Sequence, residues 1–300
     1  MVSVTYTLFT LVPILLSMAF FTLLERKILG YAQNRKGPNK VGVGGWLQPI
    51  LDAVKLLSKD LVSPSRSSKV GFFFAPVAMI LLSLIFWLNY WSAFSFSYLS
   101  KGVLYFMCVS SLSVYPVFMS GWASNSKYAL LGAIRSVAQT ISYEISMVLI
   151  ILVPLCLVGG FDMNLMPGFF WVGVLFPYMV LPWAVTVLAE TNRAPFDFAE
   201  GESELVSGYN VEYGGVPFTL IFMGEYISIL FLSLMTAVLF MGTGMVWVKT
   251  LGVAVVFVLV RSALPRLRYD LIMGLTWKCY LPVVLSLMVP LIVLMKCFGG

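Results

Sequence analysis

Histidine is absent from the 300-residue sequence, and cysteine is scarce. The four cysteines lie in hydrophobic segments without paired spacing, at Cys108, Cys156, Cys279 and Cys297. Haem, copper and non-haem iron sites depend largely on imidazole ligands, and iron–sulfur clusters need grouped thiolates. The sequence therefore predicts that this chain alone binds no metal, haem or iron–sulfur cluster, which argues against a cytochrome b-like subunit or a terminal oxidase.

Charged residues make up 11% of the sequence, against about a quarter in soluble domains. Hydrophobic residues make up 60%, against about a half. Eight segments reach the length of a membrane-spanning helix, roughly 18 residues or more. Five carry no charge: 1–24, 70–100, 102–126, 163–189 and 226–248. Three carry a charge inside or near one end: about 134–158, 245–264 and 277–297. We therefore predict an all-α, polytopic transmembrane helical protein with about eight transmembrane helices.

The net charge of +6 does not indicate nucleic-acid binding, because that function needs a basic face on a soluble domain. With eight spans, the loops of one side carry all of the 19 Lys and Arg residues except Lys101, Lys249 and Lys296. Under the positive-inside rule, that side faces the cytoplasm or the mitochondrial matrix. We expect the lipid bilayer, and no nucleic acid, among the partners of this chain.

We treat residues 1–300 as a single membrane domain with two polar segments. The first, an interfacial polar loop at about 25–69, contains apolar residues at helical spacing, namely Leu47, Ile50, Leu51, Val54, Leu57 and Leu61. This pattern predicts an interfacial amphipathic helix at about 47–61, lying along the membrane surface. A surface helix packed against a partner subunit fits the same pattern.

The second polar segment, an acidic loop at about 190–215, has Arg193 as its single basic residue. Its carboxylates are Glu190, Asp197, Glu200, Glu202, Glu204 and Glu212. Composition alone favours an ordinary solvated acidic loop. However, the segment lies on the side where the other loops are basic, and apolar residues alternate with its carboxylates. Both features favour a segment folded back into the protein or at the mouth of a cavity.

Three stretches resemble subunit 1 of respiratory complex I, the proton-pumping NADH:quinone oxidoreductase. They are LLERKILGYAQNRKGPNKVG (23–42), GGWLQPILDAVKLLSKD (44–60) and AETNRAPFDFAEGESELVSGYNVEYGG (189–215). Together with the spacing of the hydrophobic segments, the resemblance covers essentially the whole chain. Asp60 departs from the family pattern, which usually has glutamate there. Abundant Phe, Met and Ser favour an organelle-encoded member, and thus the mitochondrial inner membrane rather than a bacterial plasma membrane.

The resemblance implies that ubiquinone is the substrate and that this subunit forms part of its binding passage. The expected walls are the end of the first helix from Glu25 to Lys27, the interfacial helix and nearby aromatic residues. Seven residues are candidates for quinone binding: Arg26, Arg35, Trp46, Ala53, Arg193, Phe218 and Phe222. Arginines that follow a helix also serve simply as topology determinants, and for Arg26 and Arg35 this interpretation stays open.

Proton translocation requires titratable groups inside the membrane. Glu144 lies about 15 Å along a helix from Arg135, and Glu225 about 12 Å into the sixth span, at a rise of about 1.5 Å per residue. Intramembrane carboxylates generally mark proton or ion paths, although a protonated structural glutamate is the simpler alternative. The candidate catalytic carboxylates are Glu144, Glu190, Asp197, Glu200, Glu202, Glu204, Glu212 and Glu225.

The resemblance also implies that the partners are other complex I subunits, namely the hydrophilic-arm subunits at the quinone site and the neighbouring membrane subunits. Those partners would supply the electrons, so this chain alone is expected to bind no flavin. Two alternatives stay open at this point. A proton-coupled secondary transporter would also have buried glutamates, although the internal repeats of such transporters are not evident here. A homologous subunit of a membrane-bound hydrogenase would not use quinone.

Overall fold

The computed structural model describes residues 2–89, 99–163, 165, 172–197, 207–242 and 244–298. These residues are mostly helical and contain no β-strand, which confirms the all-α prediction. The helices are α1 (Val2–Ala32), α2 (Gln48–Leu57), α3 (Lys69–Phe86), α4 (Gly102–Ser124), α5 (Lys127–Val158), α6 (Val172–Leu175), α7 (Pro177–Glu190), α8 (Gly215–Phe240), α9 (Val246–Ala263), α10 (Tyr269–Leu275) and α11 (Leu281–Phe298). A π-helical turn, Thr276–Tyr280, joins α10 to α11, and short 3-10 turns occur at Trp87–Asn89 and Gly208–Asn210.

Seven helices in the described part of the chain are long and apolar enough to cross a membrane. They satisfy their backbone hydrogen bonds internally, as a lipid environment requires. Part of the predicted span at 163–189 lies outside the described residues. Within its described part, the chain forms helices α6 and α7. The polytopic fold is therefore confirmed, and the eighth span stays a prediction.

Charge-free runs located the spans but did not give their ends. Helix α1 continues through Glu25 to Ala32, because a helix does not stop where its side chains become polar. Helix α8 begins at Gly215 rather than at residue 226, since its interior accommodates Glu225. The predicted helix at 47–61 is shorter, Gln48–Leu57, and its position at the membrane interface stays a prediction.

Helix α8 occupies the centre of the bundle and packs against α1, α2, α3 and α9. Its second half is almost entirely buried, with Phe231, Met235 and Ala237 at 0% exposure. Helix α5 forms the other main contact surface and packs against α4, α7 and α11. The side chains that α8 and α5 present to their neighbours therefore lie within the protein, where polar groups need partners.

The turn at Gly208–Asn210 lies directly against helix α5. A Cβ atom on Gly132 of α5 would lie 2.9 Å from the Cα atom of Gly208, so a glycine is required for this approach. Next in the chain, Tyr213 stacks on Phe72 with ring centroids 4.2 Å apart. Burial raises the pKa of Tyr213, whose hydroxyl stays a neutral donor and bonds the Ser120 carbonyl at 3.3 Å. These contacts fix the end of the acidic segment inside the bundle.

Candidate functional site

A cavity of about 290 Å³ lies between α1, α2 and α8 and is called the outer cavity here. One end is polar, where Arg26 Nη1 pairs with Asp52 Oδ2 at 2.7 Å and Gln48 Nε2 donates to Asp52 Oδ1 at 2.8 Å. The remaining walls are mainly apolar. The lining residues are Met18, Ala19, Thr22, Arg26, Pro49, Asp52, Ala53, Leu56, Phe218, Thr219, Phe222, Met223 and Tyr226. An apolar passage with one polar end suits a hydrophobic ligand that has a polar headgroup.

A smaller cavity of about 90 Å³, the inner cavity, lies between α3, α4, α5 and α8, close to the end of α7. Glu190 and Glu225 both line it. Eight other polar side chains line it, namely Ser83, Ser110, Ser113, Thr140, Thr191, Asn192, Tyr209 and Ser228, and the rest of the lining is apolar, including Met79, Leu82 and Phe106. Within the described residues, Glu190 Oε2 and Asn192 Oδ1 are buried without a hydrogen-bond partner. A cavity of this size, polar where Glu190 and Glu225 face it, has room for water molecules between these carboxylates.

A group of buried side chains joins the two cavities, and we call it the inter-cavity cluster: Glu25, Arg193, Tyr209, Glu225, Tyr226 and Arg261. Tyr226 lines the outer cavity, and its hydroxyl donates to Glu25 Oε2 at 2.5 Å. Arg193 lies over the Tyr226 ring, with its guanidinium carbon 4.5 Å from the ring centroid. The same guanidinium approaches Glu25 Oε1 at 3.8 Å and Glu225 Oε2 at 4.0 Å. Glu225 and Tyr226, which are adjacent in α8, therefore line different cavities, and both contact Arg193.

Opposite charges balance within the cluster. Arg261 of α9 forms a second ion pair with Glu25, and the Tyr209 hydroxyl donates to Glu225 Oε1 at 2.5 Å. The side chains of Glu25, Arg193 and Glu225 are only 7%, 11% and 14% exposed. Each of the two carboxylates therefore has both a cation and a phenol as partners in this buried position.

Glu144 lies on α5 beside the inner cavity. Its Oε1 atom accepts a hydrogen bond from Ser111 and lies 3.5 Å from the hydroxyl of Ser110, which lines that cavity. Asp197, at the end of the described part of the acidic loop, pairs with Arg266 at 3.7 Å. Glu212 is partly buried in the turn before α8. Three further candidates, Glu200, Glu202 and Glu204, lie outside the described residues.

The candidate quinone-binding residues divide into three groups. Arg26, Ala53, Phe218 and Phe222 line the outer cavity. Arg35 and Trp46 are exposed and do not line it; Arg35 donates to Gln33, and Trp46 contacts the ring of Phe20. Arg193 belongs to the inter-cavity cluster. The structure thus brings four of the seven together, and quinone contact at every one stays a prediction.

Sequence reasoning missed Tyr209, Tyr226 and Arg261. Tyr209 lies within the acidic motif and Tyr226 directly follows Glu225, so both were adjacent to signals that had been recognised. Arg261 gave no such signal, because an arginine at a helix end is usually a topology determinant. Among the described residues, no group of three or more His, Cys, Asp or Glu side chains is arranged to hold a metal ion.

The family model described as NADH dehydrogenase matches residues 5–292. The chain belongs to the NADH dehydrogenase family. Curated relatives named NADH-ubiquinone oxidoreductase chain 1 agree. The protein of Heterololigo bleekeri is 50% identical over 298 residues, covering 95% of each chain. That of Anopheles gambiae is 48% identical, covering 93% of this chain and 91% of its own. That of Branchiostoma lanceolatum is 46% identical, covering 99% of this chain and 97% of its own.

Membership of the NADH dehydrogenase family confirms the resemblance that the three motifs predicted. These three relatives are animal proteins, in keeping with the expectation of an organelle-encoded member. Spans and composition together identify a multi-pass membrane protein. In this member of the family, the motifs at 23–42 and 44–60 supply walls of the outer cavity, and those at 23–42 and 189–215 supply half of the inter-cavity cluster, namely Glu25, Arg193 and Tyr209.

Proposed function

We propose that this chain is the membrane subunit of respiratory complex I that forms part of the ubiquinone passage and links quinone reduction to proton translocation. The observation that carries the proposal is the inter-cavity cluster. An apolar cavity with a polar end and a carboxylate-lined cavity lie on two sides of one guanidinium, Arg193. This arrangement supports a function in which quinone reduction at the outer cavity affects the protonation of carboxylates in the inner cavity.

Ubiquinone would occupy the outer cavity, with its isoprenoid chain against Phe218 and Phe222 and its path continuing past Arg26. The two phenylalanine rings lie 4.4 Å apart on one face of α8 and offer an apolar wall. Tyr226 would be the innermost wall, where its hydroxyl links the passage to Glu25. Quinone reduction consumes two electrons and two protons, so the charge near this wall must change during turnover. The electrons would come from partner subunits.

The carboxylates of the inner cavity would carry the response. Glu225 and Glu190 line that cavity, and Glu144 approaches it through Ser110. Carboxylates separated by hydroxyl groups and water can exchange protons over such distances, and intramembrane carboxylates generally mark proton paths. Asp197 and the acidic residues Glu200, Glu202, Glu204 and Glu212 would extend the series along the loop.

The proposed location is the mitochondrial inner membrane, with the basic loops in the matrix. The proposed partners are the hydrophilic-arm subunits at the quinone site and the neighbouring membrane subunits of complex I. The relatives' names support this function over a proton-coupled transporter or a hydrogenase subunit. Protease added to one side of oriented vesicles should cut both the 25–69 and the 190–215 segments once partner subunits are stripped. Cleavage from opposite sides would contradict the orientation.

Two measurements test the function. Mass spectrometry of proteins that co-purify in mild detergent should identify a flavin-containing NADH module and antiporter-like subunits. A nickel hydrogenase in their place, or this chain alone, would refute the proposal. In the purified complex, a photoreactive ubiquinone analogue should label the outer-cavity helices α1, α2 or α8, and excess ubiquinone should abolish the labelling. Labelling confined to the surface formed by α4 and α5 would contradict the assignment of the passage.

A further inference from the structure

Gln139 is a fully buried polar residue in the middle of α5, with 0% exposure. Its side-chain amide nitrogen donates two hydrogen bonds, one to the carbonyl of Ala189 at 3.1 Å and one to the carbonyl of Phe196 at 2.8 Å. An amide nitrogen has two hydrogens, so these bonds use its whole donor capacity. Because both partners are carbonyl oxygens, which only accept hydrogen bonds, the nitrogen end of the amide faces them.

These two carbonyls lie at the two ends of one short turn. Ala189 precedes Glu190 at the end of α7, and Phe196 precedes Asp197. Between them the chain reverses through Asn192, whose φ of 49° is in the left-handed region, and the Phe196 amide bonds the Arg193 carbonyl at 2.8 Å. One side chain from a different helix thus holds both ends of the turn that carries Arg193.

The position of this turn decides the electrostatics of the inter-cavity cluster. Arg193 approaches Glu25 at 3.8 Å and Glu225 at 4.0 Å, so it is nearly equidistant from the two carboxylates. Coulomb energy varies inversely with distance, so a movement of about 1 Å away from one carboxylate weakens that interaction by about a fifth. A displacement of the turn would therefore change the balance between the carboxylates without altering the walls of the outer cavity, which belong to α1, α2 and α8.

We propose that Gln139 is a positioning residue that fixes the Glu190–Asp197 turn and thereby keeps Arg193 between Glu25 and Glu225 during turnover. The inference rests on the proposed function, because it assigns Gln139 to the coupling of quinone reduction and not to quinone binding. If Gln139 only filled space, an apolar side chain of similar length would leave kcat unchanged. If its two donors hold the turn, the same replacement removes them from the Ala189 and Phe196 carbonyls and lowers kcat.

The test compares Gln139→Met and Gln139→Glu in the assembled complex. Methionine keeps the length and removes both donors, whereas glutamate keeps the shape and, as the neutral acid that burial favours, supplies one donor in place of two. We expect both variants to lower kcat for quinone reduction about tenfold, since a net hydrogen bond is typically worth a factor of about two to ten. Quinone KM should change less than about twofold, because the outer cavity is unchanged. NADH oxidation by an artificial acceptor should persist.

Ser136→Ala is the matched control, since Ser136 is also buried on α5 but bonds only the Ala133 carbonyl of its own helix at 2.9 Å. It should leave kcat unchanged. Wild-type kcat in both Gln139 variants would overturn the inference while leaving the ubiquinone assignment intact. A rise in KM with normal kcat would overturn it as well, by assigning Gln139 to quinone binding. Failure of both variants to assemble would assign the amide to folding alone and would also refute the proposal.

Discussion

Replacement of Arg193 by methionine removes a cation that lies within 4.0 Å of both Glu25 and Glu225. Methionine is similar in length and has no charge, so the change is mainly electrostatic. At 4.0 Å, the interaction of Arg193 with Glu225 is about 4 kcal/mol for an effective dielectric constant of about 20. Solvent screens this pair weakly, because the two side chains are 11% and 14% exposed.

The two carboxylates are not equally affected by this loss. Glu25 keeps its ion pair with Arg261 and the hydrogen bond from Tyr226. Among the described residues, the side-chain contact that remains to the Glu225 carboxylate is the hydrogen bond from Tyr209. An interaction of about 4 kcal/mol corresponds to roughly three orders of magnitude in an equilibrium, and structural relaxation reduces it. We therefore expect quinone-dependent turnover to fall about ten- to a hundredfold, and proton pumping to fall with it.

The assay is quinone reduction and proton uptake by the complex in reconstituted vesicles, with NADH oxidation by an artificial acceptor as the measure of intact upstream chemistry. Arg193→Lys keeps the charge and should retain more activity than Arg193→Met. Arg268→Met is a suitable control, because Arg268 and its partner Asp270 are 76% and 73% exposed and should have little effect. Undiminished quinone reduction and pumping in an assembled Arg193→Met complex would refute the coupling assigned to this residue.

Three further predictions use matched pairs. Ala53→Thr introduces a larger polar side chain into the outer cavity and should raise quinone KM or weaken inhibitor binding, whereas Val54→Thr, on the exposed face of α2, should not. Glu225→Gln keeps size and hydrogen bonding but removes the titratable proton, so quinone reduction and pumping should fall together; full coupled activity would make Glu225 a structural residue. Gly132→Ala should destabilise the subunit by about 1–3 kcal/mol in thermal unfolding, because its Cβ would meet the Gly208 turn, while Gly252→Ala meets nothing within 4 Å and serves as control.

Composition and motifs predicted the helical membrane fold and much of the site from local information. Charge-free runs found the spans because a lipid environment forces apolar helices, whatever their neighbours are. The acidic motif identified Glu190, Arg193 and Asp197 because so many carboxylates are unusual on a basic side. Helix ends were less predictable: α8 starts before Glu225, because a buried carboxylate with a phenol and a guanidinium beside it does not end a helix.

The pairings within the site could not be predicted from spacing. Tyr226 bonds a glutamate 201 residues away along the chain, and Arg261 pairs with the same glutamate across 236 residues. Such contacts depend on which faces of α1, α8 and α9 meet, and periodicity leaves that choice open. Trp46 is a different case: its aromatic character predicts a cavity wall, its side chain is 64% exposed and does not line the outer cavity, and quinone contact there stays a prediction.

The distribution of partners within the cluster gives a direction to the proposed coupling. Glu25, next to the outer cavity through Tyr226, has two cations nearby and is therefore well compensated. Glu225, on the inner cavity, has Arg193 as its one cation within 4.0 Å among the described residues. A change of charge near Tyr226 strengthens or weakens the attraction of Arg193 toward Glu25. Arg261 stays paired with Glu25 whether that attraction increases or decreases. The change in electrostatic interaction then affects mainly Glu225, whose contact with Arg193 at 4.0 Å becomes longer or shorter. A cluster with equal compensation on both sides would divide the effect, whereas this asymmetric one delivers it to the cavity that contains the carboxylates.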